Sequence, residues 1–281
     1  MNSTMIDHAQ TEGVNPRSRK IDLKPTSEIL AIINAEDASV AQAVQRAIPE
    51  ITPVVDAVAE RIARGGRLIY VGVGTSGRLA VQDAAECPPT YGVSPETVTA
   101  IIAGGMEAMM HPIESAEDDA SAGAAALREA GVDARCFVLG ISANGNASYV
   151  CGALEEARKA GAATGALLCN PTGRIERFAD IAIHALTGPE VICGSTRMKA
   201  GTAQKMILNM ISTAVMIKCG RVTGNFMTAM TPVNAKLRKR AVFIVEEITS
   251  VSAEEAQRTL EENGYDIRES VRKIRENGEK R

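Results

Sequence analysis

Five short runs, at 68–73, 98–103, 137–141, 166–169 and 181–185, are apolar almost throughout and show no alternation between an apolar and a polar face. Strands of that kind are covered on both sides, as in a parallel sheet; a sheet with one wet face alternates apolar and polar residues. Stretches of helical character separate most of the runs, near 78–86, 116–130 and 148–160, and a long helix at about 199–218 follows the last. Strands alternating with helices specify an α/β fold, a parallel sheet sandwiched by helices. Ligands of such sheets lie beyond the carboxyl ends of the strands, so the loops after the first and third runs are the places to look for a site.

Upstream, Thr26 is placed to cap a helix carrying Ile29, Ile32 and Ile33 on one face, and a longer helix fits 51–64. Residues 1–25 are polar, include Pro16 and Pro25 and show little periodicity, which predicts an N-terminal arm outside the core. Near the other end, Ser252-x-x-Glu255 and Asp266-x-x-Glu269 have capping-box spacing, with Asn263-Gly264 as a stop between them. They predict two short helices with Val251, Ala256, Leu260, Ile267, Val271 and Ile274 along their seam. The expected organisation is an arm at 1–25, a central domain at 26–240 and a small C-terminal helical region at 241–281.

Composition excludes several functions. The chain's 281 residues can bury a sizeable core, yet aromatics are 3% with no Trp, which argues against base-stacking recognition of nucleic acid. A net charge of −3 gives no bulk cationic field for a phosphate backbone. The closest cysteines, Cys136 and Cys151, are fifteen apart, and His8, His111 and His184 are isolated, so neither a metal site nor a redox pair is expected. The most apolar stretch, 206–217, is too short to span a bilayer and contains Asn209, Ser212 and Thr213. No basic start followed by an apolar run marks a secretory leader, and a reducing cytoplasm is the expected location.

Three loops carry candidate ligand groups. Gly72-Val73-Gly74-Thr75-Ser76-Gly77 follows the first run and fits a dinucleotide fingerprint, but the second run ends in Ala103-Gly104-Gly105, with no acid to hold a ribose. What remains is a glycine-rich turn into a helix, whose amides and two hydroxyls suit one phosphate monoester; the alternative is a plain turn with Thr75 or Ser76 as cap. Ser142, Asn144 and Asn146 follow the third run, where a turn capped by Ser148 is the competing reading. In Gly194-Ser195-Thr196-Arg197-Met198-Lys199, two cations stand at the start of the long helix, where the dipole disfavours them. A bound anion would relieve that conflict.

Two acids complete the set. Glu86 precedes Cys87-Pro88-Pro89, and the prolines are expected to end its helix there, leaving the carboxyl at the negative end of the dipole. Glu117 lies in Glu114-Ser115-Ala116-Glu117-Asp118-Asp119, which also reads as a solvated first turn capped by Ser115 and Asp118. Two carboxyls in unlike surroundings could divide acid and base work between them.

Gly72-Val-Gly-Thr-Ser-Gly-Arg78, Ala85-Glu-Cys-Pro-Pro-Thr-Tyr-Gly92 and Gly194-Ser-Thr-Arg-Met-Lys-Ala-Gly-Thr-Ala-Gln-Lys205 together resemble the N-acetylmuramic acid 6-phosphate etherase family. Thr11-Glu12, Asn15 and Ile33-Asn34-Ala35-Glu36-Asp37 extend the likeness over nearly the whole chain. The resemblance implies a sugar-isomerase (SIS) type domain, a small helical C-terminal region, a homodimer and no metal or redox cofactor. It implies cleavage of the D-lactyl ether of N-acetylmuramic acid 6-phosphate to N-acetylglucosamine 6-phosphate and D-lactate, by elimination and then hydration, in cell-wall sugar recycling. Glu86 would be the acid and Glu117 the base, with Gly74, Thr75, Ser76, Ser142, Asn144, Asn146, Ser195, Thr196 and Lys199 holding the phosphosugar. The chain departs from the family's pattern at Asn144-Gly145-Asn146-Ala147-Ser148, where a hydroxyl is lost at 147, and its C-terminal region is expected to be shortened. A non-catalytic sugar-phosphate sensor like glucokinase regulatory protein, or a sugar-phosphate isomerase of the same fold, are the competing functions. If 76–86 is unbroken helix, Ser76 and Glu86 are separated by about 15 Å, so either the helix breaks early or Glu86 serves a partner's site.

Overall fold

Each of the five apolar runs forms a strand. The computed structural model describes residues 10–278, and His8 lies outside them. In chain order the elements are α1 (Thr26–Asp37), α2 (Val40–Ala63), β1 (Leu68–Gly72), α3 (Gly74–Tyr91), β2 (Val98–Ile102), α4 (Glu107–Met110), α5 (Ala120–Glu129), β3 (Phe137–Ile141), α6 (Ser148–Lys159), β4 (Ala163–Leu168), β5 (Ile181–His184), α7 (Lys199–Lys218), α8 (Ala235–Thr249), α9 (Ala253–Glu262) and α10 (Ile267–Gly278).

The sheet is wholly parallel with order β2-β1-β3-β4-β5, and Leu68 pairs with Val98 on one side and Phe137 on the other. Successive strand side chains point to opposite faces, and both faces are dry. Leu68, Tyr70, Phe137, Leu139 and Ile141 meet α2, α3 and α7 on one side, whereas Ile69, Val71 and Val138 meet α5 and α6 on the other. Every residue of β1 and β3 is buried, which accounts for the missing polar alternation. The order reverses between β1 and β3: the chain leaves β1 toward β2 and later returns to β3 on the opposite side. Divergent loops at the carboxyl ends of β1 and β3 open a crevice there.

Two helices run through prolines. The helix expected at 51–64 begins at Val40 and runs through Pro49 and Pro53, held by the buried Val40, Ala43, Val44 and Ala47. Likewise α3 does not end before Pro88-Pro89. Both prolines sit in its last turn, Cys87 and Tyr91 are packed in the main core, and the Tyr91 hydroxyl donates to Thr213 Oγ1 at 3.0 Å. Termination comes at Gly92, in the left-handed region at φ 60, whose N–H reaches the Pro88 carbonyl. The cap expected from Thr26 also shifts: Pro25 holds the cap position and Thr26 is the first helical residue.

The arm adds no residue to the hydrophobic cores but is anchored on the domain by polar contacts. Thr11, Asn15 and Ser18 are buried; the Asn15 side chain donates to the Pro189 carbonyl and the Ser18 hydroxyl to the Val191 carbonyl. At the other end Ser252 caps α9 and Asp266 precedes α10, accepting from the Glu255 and Glu269 amides. The expected seam forms a separate core with Ala241, Ile244 and Val245 of α8. That core takes in Met230, with Phe226 and Met227 against it, so a boundary at 240 falls inside α8. Among the described residues no helix is long and apolar enough to cross a membrane.

Candidate active site

Gly72-Val73-Gly74 turns the chain from β1 directly into α3, and its glycines answer to geometry. A Cβ on Gly72 would lie 2.8 Å from the Gly77 amide nitrogen, one on Gly77 2.6 Å from Ile102 Cγ1, and Gly74 sits at φ 51. The result is a turn so tight that the first amides of α3 open into the crevice. Val73 is the cap and contributes no side-chain hydrogen bond, so neither Thr75 nor Ser76 caps the helix. Amides at a helix start lack intrahelical acceptors and favour an anion.

Gly74, Thr75 and Ser76 line a cleft of about 260 Å³ with Ser142, Asn144, Thr196 and Glu117. Seven of the expected site residues thus come together from the start of α3 and from the segments after β2, β3 and β5. The Ser142 hydroxyl donates to Asn144 Oδ1 at 3.0 Å, and that oxygen also accepts from the Asn146 amide, which holds the loop open-handed toward the cleft. Ser76 is buried and donates to Gln204 Oε1 at 2.9 Å, while the buried Gln204 Nε2 has no partner. Rotating that amide by 180° would make it the donor and free the Ser76 hydroxyl proton for a ligand.

Glu117 ends a single 3₁₀ turn, Glu114–Glu117, whose Ala116 packs on the second core. The expected Ser115–Asp118 cap is absent; Asp119 caps α5 by accepting from the Ala122 amide at 2.9 Å. The half-buried Glu117 faces the cleft, and burial, then the charge of Asp118, raises its pKa above the ordinary glutamate value. A raised carboxylate of this kind is a stronger base than a solvated one.

Four expected residues lie elsewhere. Asn146 is exposed, its Oδ1 accepting from the Arg174 amide, and Ser195 does not line the cleft. Ser148 is no cap either; Ala147 holds that position. Lys199 is a clear correction. Its side chain is only 2% exposed, and Nζ donates to Glu36 Oε2 at 2.7 Å and to the Thr187 carbonyl at 3.0 Å. The anion inferred at the start of α7 is the protein's own Glu190, fully buried, which accepts from the Lys199 and Ala200 amides at 3.0 and 2.9 Å. Glu86 is exposed on α3 and does not line the cleft. Because α3 is unbroken, about 15 Å of helix separates Glu86 from Ser76.

Sequence reasoning missed Glu12 and Gly194 as cleft residues. Glu12 was visible only as part of a family motif in a segment read as an arm. Among the described residues no group of three or more His, Cys, Asp or Glu is placed to hold a metal ion.

A 2-1-3-4-5 parallel sheet with a hydroxyl- and amide-lined cleft at its switch point is a doubly wound α/β fold, and the family models that match it are those of SIS domains. Residues 50–158 match the glucokinase regulatory protein N-terminal SIS domain, and residues 121–214 match the SIS domain family. Among solved structures, a putative phosphosugar isomerase involved in capsule formation from Bacteroides fragilis has a TM-score of 0.55 at 17% identity, covering 72% of this chain and 97% of that one. A phosphoheptose isomerase from Neisseria gonorrhoeae has a TM-score of 0.53 at 16% identity, covering 68% and 98%. Curated relatives are nearer. N-acetylmuramic acid 6-phosphate etherase from Aeromonas hydrophila is 50% identical over 89% of this chain and 84% of its own length. The same enzyme from Cronobacter sakazakii is 48% identical over 93% and 88%. The chain belongs to the N-acetylmuramic acid 6-phosphate etherase family.

Proposed function

We propose that this protein is an N-acetylmuramic acid 6-phosphate etherase, a carbon–oxygen lyase that releases D-lactate and N-acetylglucosamine 6-phosphate. The observation that carries the reading is the unprotected start of α3 facing a half-buried Glu117 across one small cleft. The amides of 74–76 and the hydroxyls of Thr75, Ser142 and Thr196 suit a phosphate monoester and a polyol. In the open-chain sugar the C1 aldehyde acidifies the C2 proton, and the C3 ether is β to it. Glu117 takes the C2 proton; the C3–O bond breaks with its electron pair moving to the ether oxygen, which takes a proton from an acid. Water then adds at C3 of the unsaturated aldehyde, giving its proton to that acid's carboxylate, and C2 regains a proton from Glu117.

The acid in this scheme is Glu86. Its place on the outside of α3 favours a homodimer in which Glu86 of the partner subunit completes the cleft. The protein would act in the cytoplasm, in recycling of cell-wall amino sugars. Incubation with N-acetylmuramic acid 6-phosphate should yield D-lactate, and Glu86→Gln should stop that release while leaving exchange of the C2 proton in heavy water. Tight sugar-phosphate binding without lactate would instead mark a sensor, and aldose–ketose interconversion an isomerase. Full turnover by Glu86→Gln would remove Glu86 from the mechanism.

A further inference from the structure

The cleft holds a second carboxylate, Glu12, to which the scheme above gives no task. Its backbone is clamped on both sides. The neighbouring Thr11 N–H donates to Asn170 Oδ1 at 3.1 Å, Asn170 Nδ2 donates to Thr11 Oγ1 at 3.1 Å and to the Asn144 carbonyl at 3.2 Å, and Cys193 Sγ donates to the Glu12 carbonyl at 3.0 Å. Asn170 therefore ties Glu12's turn to the same 142–148 loop that lines the cleft. The side chain occupies space that a larger residue would block. A Cβ on Gly194, itself at φ 74, would stand 2.9 Å from Glu12 Oε2.

Among the residues lining this cleft there is no lysine, arginine or histidine. An ionised carboxylate there repels a phosphate dianion and accepts hydrogen bonds only, so it calls for O–H or N–H donors. The α3 amides present the opposite preference. The cleft is thus chemically divided, with donors for the phosphate and acceptors for the polyol. We propose that Glu12 is a substrate-binding residue that accepts hydrogen bonds from the hydroxyl and amide groups of the sugar and so sets the direction in which the phosphosugar lies. The N-terminal arm is then part of the site rather than an appendage. This inference rests on the phosphosugar reading of the cleft.

The test compares two ligands by calorimetry, N-acetylglucosamine 6-phosphate and inorganic phosphate, on the full chain. Glu12→Ala should weaken the sugar phosphate by about tenfold or more, as expected for lost hydrogen bonds to a charged group, and leave phosphate affinity unchanged or tighter. Glu12→Gln, nearly isosteric and still an acceptor, should fall between the two and guards against misfolding of the alanine variant. Unchanged sugar-phosphate affinity would overturn the proposal. So would parallel weakening of both ligands, which would mean that the arm merely holds the loop in place. D-lactate release by the unmodified protein is read separately: its absence would overturn the etherase reading, while the two-ligand comparison would still report on Glu12.

Discussion

Glu117→Gln should lower D-lactate release by about 10²–10⁴-fold, the range for loss of a general base. Glutamine keeps the volume of the side chain and removes only its ability to take the C2 proton, so the fall should appear in kcat with little change in KM. The pH profile follows from the raised pKa of Glu117, caused first by burial and then by Asp118. As a base it works only when ionised, so the acid limb of kcat/KM should lie above the ordinary glutamate value. Stability should run the other way. A carboxyl whose folded pKa exceeds its unfolded value stabilises the fold below the unfolded pKa, and loses that contribution as pH rises through the folded pKa. Glu117→Gln, neutral throughout, should therefore melt higher than the unmodified protein near neutral pH and equal it below the ordinary glutamate value. Thermal unfolding across pH checks this, and a variant with full turnover would remove Glu117 from the mechanism.

The second large effect is on folding. Lys199→Ala should destabilise the protein by up to about 3–5 kcal/mol, because it removes the buried ammonium from the Glu36 carboxylate, only 1% exposed, and leaves it the guanidinium of Arg17, itself 67% exposed, as its one charged partner. Burial pushes the pKa of Glu36 upward, but hydrogen bonds from Lys199 and Asn15 and the charges of Lys199 and Arg17 outweigh it, and the net shift is downward. A carboxylate depressed in this way stabilises the fold above its unfolded pKa and loses that contribution as pH falls through the folded value. Pairing Lys199→Ala with Glu36→Gln should recover part of the loss and flatten the acid dependence, since the one charge then left unpaired is Arg17, which is exposed to solvent. Denaturant unfolding of the single and double variants measures both effects. Unchanged stability with weakened sugar-phosphate binding would return Lys199 to the ligand site.

Those two residues also show how much the sequence disclosed. Strand positions and the parallel sheet were legible because burial on both faces writes itself into every residue of 68–72 and 137–141. The N-caps Ser252 and Asp266 near the C-terminus were legible because partners three residues apart need no tertiary knowledge, though neither glutamate returns the bond that would make a full box. Lys199 was misread because its partner lies 163 residues away and its conflict with the α7 dipole is resolved internally by Glu190. Pro88 and Pro89 were misread because proline speaks only for local backbone preference, whereas the fate of α3 depends on burying Cys87 and Tyr91. Glu12 was missed because short polar turns have no period; its place is set by bonds to Asn170 and Cys193 at long range. The cleft loops after β1 and β3 were visible as motifs, but only the fold shows that Glu117 joins them and Glu86 does not.

In the proposed homodimer one cleft works with Glu117 of its own chain and Glu86 of the partner subunit. Mixing two inactive proteins, Glu86→Gln and Glu117→Gln, under conditions that exchange subunits tests it most directly. In the mixed dimer one of the two clefts would regain both carboxyls, so random exchange should restore D-lactate release to about a quarter of the unmodified rate. A mixture that stays as inactive as its components would contradict the shared site.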